Sequence, residues 1–238
     1  FAIACVDAVT SALVFDDGTD TIIDNVEFTN AGGTNTGATG ISGITIQANC
    51  VRPTYRNCYF HDLFSGISNL LSVGGENIYG NRIESYGGRG IYMRNGTSFD
   101  HEDTRITNNL FGVPLAGTIK QPIAFQTTGA FKHKNIIVDH NVFLLSGLPF
   151  ITGSETSNTG SADVISYHNV DGGRISGNYI RGGGEVGINI SNGTTATEIV
   201  GNNVAECDGP GINIGATGET ASNYNTVSNN HVHNCLQD

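Results

Sequence analysis

Eight times along the chain an apolar residue is followed three places later by a fixed middle position and, two places after that, by a further frame position that is apolar each time. The frames are Ile23/Val26/Phe28, Tyr55/Cys58/Phe60, Ile78/Asn81/Ile83, Ile106/Asn109/Phe111, Val138/Asn141/Phe143, Ile175/Asn178/Ile180, Val200/Asn203/Ala205 and Val227/Asn230/Val232, and six of the eight middle residues are Asn. The middle positions lie 32, 23, 28, 32, 37, 25 and 27 residues apart. Such spacing is too irregular for a helical repeat and natural for stacked coils whose loops vary in length. A second motif returns in register as Gly43-Ile44-Thr45-Ile46, Gly66-Ile67, Gly90-Ile91-Tyr92-Met93, Pro122-Ile123-Ala124-Phe125, Gly187-Ile188-Asn189-Ile190 and Gly211-Ile212-Asn213-Ile214. Its alternation is that of a short strand with one buried face, so Ile91 and Met93 are expected inside, Tyr92 and Arg94 outside.

Together, Ile-x-x-Asn-x-Phe and Gly-Ile-x-Ile resemble the repeat of right-handed parallel β-helix proteins of the pectate-lyase-like kind, over roughly residues 20 to 235. The resemblance implies an all-β solenoid of about eight coils, three short strands to a coil, with stacked Asn side chains in the turn between the second and third. A buried amide suits that turn because it both donates and accepts. The resemblance leaves chemistry open, since such folds include polysaccharide lyases and epimerases, hydrolases, tailspikes and adhesins.

The repeat runs without a linker, so residues 20–238 are expected to form one β-helix, with 1–19 as an N-terminal cap or lead-in. The chain stops just after the last Asn turn, which points to a truncated domain or to an end that stacks on another chain. No run of 18 or more apolar residues exists, so no membrane span is expected. With 22 acidic against 11 basic residues, a net charge of −11, nucleic acid is excluded as a partner. A polyanion would need a local basic strip, and Arg89, Arg94, Lys120, Lys132 and Lys134 offer one in mid-chain. Five cysteines leave at least one unpaired. Cys207 and Cys235 fall near equivalent places in adjacent coils, within disulfide reach; Cys50 and Cys58 could close a short loop, although Cys58 fits better as a buried thiol in the Asn position. With the sequons Asn95-Gly96-Thr97 and Asn192-Gly193-Thr194, this usage leans towards an extracellular or cell-surface protein.

Three insertions, Ala31 to Gly40, Gly112 to Gln121 and Leu144 to Ala162, precede Gly-Ile strands and are expected to rise along one edge of the first-strand sheet. Outward positions of that sheet read Thr45 and Gln47, Ser68, Tyr92 and Arg94, Ala124 and Gln126, Ser166 and His168, Asn189 and Ser191, then Asn213. The row holds no carboxylate. That disfavours a two-carboxylate glycosidase and removes the cluster that a Ca²⁺-assisted lyase would use, so no cofactor or metal is expected. Lyase or epimerase chemistry on a uronate asks for a cation beside the sugar carboxylate and a group to move the C5 proton. Tyr92, Arg94 and His168 are the catalytic candidates, with Gln47, Arg89, Lys120, Gln126 and Asn189 as candidate contacts to an acidic polysaccharide or cell-surface glycan. Phe99-Asp100-His101-Glu102 is similar to the Asp-Pro-His-Glu signature of alginate C5-epimerases but lacks the Pro and falls in a turn. Asn135-Ile136-Ile137-Val138-Asp139-His140-Asn141 looks like the Ile-Asp-His-Asn run of pectate lyases, but the generic Asn-turn frame produces the same run, and the structural reading is preferred. The alternative is a non-catalytic module, such as a surface filament, tailspike or glycan-binding rod, with end-to-end or homo-oligomeric stacking.

Overall fold

The computed structural model describes all residues except 1, 5–10, 16–17, 31–40, 47–49, 71–73, 96–99, 115–120, 128–129, 146–162, 216–219 and 237–238. The described residues form an all-β solenoid of parallel strands, with no helix. A representative coil runs through Ser42–Ile46 in the first sheet, the two-residue strand Cys50–Val51, Thr54–Arg56 in the second sheet and Tyr59–His61 in the third. Stacking gives a first sheet of eight strands, a second of eight and a third of nine. Short strands such as His101–Glu102 and His133–Lys134 make a minor ladder at the corner between the first and second sheets. The stack begins before residue 20: Ala2–Ala4 pairs with Glu27–Thr29, and Ser11–Phe15 pairs with Ser42–Ile46.

The core is built as columns, because parallel register puts the same place of each coil above the last. Ile44, Ile67, Ile91, Ile123, Ile165 and Ile188 make one fully buried file in the first sheet. In the third sheet Phe28 stacks on Phe60 with ring centroids 4.9 Å apart, and Phe111 on Phe143 at 4.7 Å. Burying each such side chain contributes about 1.5–3 kcal/mol. The glycine of the Gly-Ile motif has a steric cause: a Cβ on Gly90 would lie 2.6 Å from the Pro122 carbonyl and 3.0 Å from the Phe111 ring.

At the turn between the second and third sheets, the residue before each middle position takes a left-handed conformation: Asn25, Asn57, Gly80, Asn108, His140, Gly177, Gly201 and Asn229 all have φ between 52° and 67°. Asn, Gly and occasionally His tolerate that region. The turn leaves a backbone N–H facing inward, and the amide of the next coil accepts it. Asn81 N–H donates to Asn109 Oδ1 at 2.9 Å, Asn109 N–H to Asn141 Oδ1 at 3.0 Å, Asn141 N–H to Asn178 Oδ1 at 2.9 Å, Asn178 N–H to Asn202 Oδ1 at 3.0 Å and Asn202 N–H to Asn230 Oδ1 at 2.9 Å. From Asn81 to Asn202, each Nδ2 also donates to the next amide oxygen and to a carbonyl one coil back, as Asn109 does to Asn141 Oδ1 and Ile78 O. The frame written above as Val200/Asn203/Ala205 is therefore one residue too late. Ile199, Asn202 and Val204 hold these places, and Asn203 pairs with Tyr179 in the third sheet instead. Gly201 in the left-handed place decides the register.

Cys58 occupies the middle position of its coil, its N–H donating to Asn81 Oδ1 at 2.9 Å and its thiol directed at the carbonyls of Arg56 and Ile23. Cys50, Cys58, Cys207 and Cys235 are all buried, and Cys58, Cys207 and Cys235 are free thiols, so Cys58 is not tied to Cys50.

Replacing Asn109 by Leu strands the Asn81 N–H in the core and should lower unfolding free energy by about 1–3 kcal/mol, read by denaturant titration. The opposite change, Cys58→Asn, extends the amide file by one coil and offers the Val26 N–H an acceptor. It should raise stability by about 1 kcal/mol in the same titration, and a loss above that size would contradict the role given to the file.

Candidate functional site

The outer face of the first sheet carries two polar rows. In the first, Thr45, Ser68, Tyr92, Ala124, Ser166, Asn189 and Asn213 are paired coil to coil. In the second, Arg94 pairs with Gln126 and His168 with Ser191. Gln47 and Lys120 lie outside the described residues, as do residues 31–40, 115–120 and 146–162, which make up most of the three insertions.

Arg89, Tyr92 and Gln126 come together as one unit. Arg89 Nε donates to Gln121 Oε1 at 3.0 Å and its Nη2 to Gln126 Oε1 at 3.4 Å, while its Cζ sits 4.0 Å from the centre of the Tyr92 ring. The Tyr92 hydroxyl donates to the same Gln126 oxygen at 3.1 Å. Burial holds the Arg89 pKa below its usual value; the Tyr92 phenol draws it up and repulsion from Arg94 adds to the lowering. A guanidinium stays charged through such a shift. Arg94 is exposed, and among the described residues neither Arg89 nor Arg94 has a carboxylate within ion-pair distance. Lys132 and Lys134 drop out of the basic strip: Lys132 faces Asp171 at 3.7 Å, and Lys134 is held by Asp100 at 2.5 Å and Glu102 at 3.4 Å.

On the far side of Gln126, His168 is half-buried, with Nδ1 3.3 Å from Asn192 Nδ2. Asn213 Nδ2 donates to Asn189 Oδ1 at 2.9 Å, and Asn189 Nδ2 donates to Asp163 Oδ2 at 2.8 Å. Asp163 corrects the expectation that this face holds no carboxylate. Counting back two residues from the paired Ile91, Ile123 and Ile165 places Arg89, Gln121 and Asp163 in equivalent positions, and Asp163 is fully buried there. At the start of each strand two successive residues face the core, Gly90 before Ile91 and Val164 before Ile165, so simple alternation fails there.

The Asp100-His101-Glu102-Asp103 run divides between surface and interior. Asp100 and Glu102 face Lys134, while His101 points into the solenoid. There it joins a buried polar chain across three coils. His101 Nε2 lies 3.1 and 3.0 Å from the two Glu76 carboxylate oxygens, and Asn69 and Thr104 donate to the same carboxylate. His101 Nδ1 lies 2.9 Å from His133 Nδ1, and His133 Nε2 lies 3.1 Å from the carbonyl oxygen of Gln126. A carbonyl only accepts, so His133 carries its hydrogen on Nε2 and takes one from His101 at Nδ1. Burial, then repulsion from His101, push the His133 pKa down to about 3.

Of the two sequons, the first has its Asn95 buried with its amide on Lys132 O, whereas Asn192 of the second is half-buried and its Thr194 is fully buried with its hydroxyl on Tyr167 O and Ser191 O. His140 is exposed against Asp139 at 2.5 Å, whereas Asn141 belongs to the amide file. Among the described residues, no group of three or more His, Cys, Asp or Glu side chains is arranged to hold a metal ion. Among the described residues no helix is long and apolar enough to cross a membrane.

No protein-family model matches the chain, and no curated protein matches it. Among solved structures the chain is similar to that of DFA-IIIase from Arthrobacter chlorophenolicus A6 without its lid, at 15% sequence identity and a TM-score of 0.41, over 95% of this chain and 71% of that one.

A neutral His133 has a measurable consequence. Its folded pKa lies below the unfolded value of about 6.5, so its contribution to stability is complete above that pH and is lost as pH falls towards about 3. Unfolding free energy should drop by up to about 1.4 kcal/mol per pH unit across that window. His133→Gln, which preserves an acceptor for His101 and a donor for Gln126 O, should flatten the slope; an unchanged slope would place the titration elsewhere.

Proposed function

We propose that this protein binds an acidic polysaccharide along the outer face of its first sheet and acts on it as a lyase or C5-epimerase, outside the cell or at the cell surface. The observation that carries the reading is the pair Arg89 and Arg94. In a chain of net charge −11, two guanidiniums rise from one strand without carboxylate partners among the described residues, beside a phenol and a row of amides and hydroxyls. Unneutralised guanidinium is a bidentate carboxylate receptor, and the amides suit sugar hydroxyls. Coils stack at roughly 4.8 Å, so Arg94 and His168, two coils apart, would span about two sugar rings. In this reading Arg94 offsets the uronate carboxylate as negative charge develops at C5, and Tyr92 or His168 moves the proton. No metal ion is called upon.

A second reading is a non-catalytic glycan-binding rod with end-to-end stacking. It is favoured by the way the outer side chains bond one another, Tyr92 to Gln126, Asn213 to Asn189 and Asn189 to Asp163, which makes a stiff, prearranged surface.

Incubation with alginate, pectate and glycosaminoglycans, following ultraviolet absorbance of the unsaturated product and solvent hydrogen exchange at C5, separates the two. For the enzyme, Arg94→Ala should cost at least about 3 kcal/mol in kcat/KM, with Tyr92→Phe and His168→Ala also impaired. Retained binding with no turnover on any of these polymers would leave the rod.

A further inference from the structure

With the register corrected at Asn202, Cys207 and Cys235 each lie five residues beyond the amide position of their coil. They face the core where the third sheet hands over to the first. The pairing of Val204 with Val232 and Ala205 with His233 continues into a hydrogen bond from Leu236 N–H to Cys207 O at 3.2 Å. Each sulfur sits against the glycine of the preceding Gly-Ile step: a Cβ on Gly187 would be 3.1 Å from Cys207 Sγ, and one on Gly211 would be 3.3 Å from Cys235 Sγ. The equivalent place one coil earlier is Gly183, whose lack of a side chain leaves room beside Cys207. The two thiols therefore share one column, one coil apart. That strand spacing, roughly 4.8 Å, lies within the Cα separation that a disulfide spans. The Cys207 thiol is directed at the carbonyl of Ala205 at 3.9 Å and the Cys235 thiol at that of His233 at 3.6 Å.

Their position makes the pairing consequential. Ile212–Ile214, Thr226–Ser228 and His231–His233 each have a neighbouring strand on one side only among the described residues, and Ile214, Val227 and Leu236 are exposed.

We propose that Cys207 and Cys235 are a disulfide-forming pair that clasps the coil holding Cys235 to the coil before it, oxidised by exchange with a low-molecular-weight disulfide. A cysteine thiolate attacks one sulfur of the small disulfide, breaking its S–S bond, forming a mixed disulfide and releasing one small thiol. The second cysteine, as thiolate, then attacks the protein-bound sulfur, forming the Cys207–Cys235 bond and expelling the second small thiol. The two cysteine protons end on the released thiols, and the small disulfide takes up the two electrons. The clasp closes a loop of about 28 residues, which restricts the open state of the coil. The inference is independent of what the first sheet binds.

The test compares the whole protein treated with oxidised glutathione and with dithiothreitol. Expected is a loss of two hydrogens mapped by non-reducing peptide mass spectrometry to a link between the peptides holding Cys207 and Cys235. Amide exchange in Thr226–His233 should slow about tenfold or more, reversibly, while strands of the inner coils are unaffected. Cys235→Ser should abolish both effects. Should that variant fold poorly, the oxidised and reduced wild-type protein carry the comparison alone. A stable glutathione adduct, a link through Cys5, Cys50 or Cys58, or a Cys207–Cys235 bond that leaves exchange in Thr226–His233 unchanged would each overturn the proposal.

Discussion

In each coil from that of Cys58 to that of Asn202, the passage from the second sheet to the third turns so sharply that one backbone N–H is left facing the core, and a side-chain oxygen from the next coil meets it. An unmet donor there would cost about 1–3 kcal/mol at each coil, enough over several coils to erase a domain's net stability. The Asn file resolves this by making each coil the hydrogen-bond partner of its neighbour. It also forces the coils into one register, because an amide displaced by a residue would reach no N–H at all. The Ile column of the first sheet, the stacked Phe rings of the third and the polar rows outside all inherit their alignment from it.

Much of this was legible in the residue order, since a period set by backbone geometry must surface as a recurring side chain. The Ile-x-x-Asn-x-Phe frame and the Gly-Ile strand named the parallel solenoid, and alternation placed Tyr92, Arg94, Ser166 and Asn189 on the outside. Where two asparagines are adjacent, as at Asn202 and Asn203, the frame alone is ambiguous. The residue before them breaks the tie, because Gly201 is the one that adopts the left-handed turn. Asp163 was hidden for a related reason: two successive inward residues at the start of the strand reverse the parity on which a reading by alternation depends.

The interior polar chain was less legible still. His101 sits in a run of acids and reads as solvated, Asn69 takes a place that neighbouring coils give to Ile46 and Met93, and Glu76 has no local signal. Only stacking brings the three together, with residue separations of 7 to 32 between hydrogen-bonded partners. Their chain ends on the backbone carbonyl of Gln126, whose side chain gathers Arg89 and Tyr92 on the opposite face. The protonation of a buried imidazole and the shape of the outer surface thus meet on one residue.

Parallel in-register stacking turns the outer face into a graduated scale, marked at equal intervals by Thr45, Ser68, Tyr92, Ala124, Ser166, Asn189 and Asn213. A scale of this kind compares pitch. A polymer whose units advance in step with the coils meets the same relative position at each mark, whereas one of a different advance drifts out of phase within a few units, whatever groups it carries. Loop insertions change what stands beside each mark but cannot move the marks, so selection among linear partners is bounded first by rhythm and only then by chemistry.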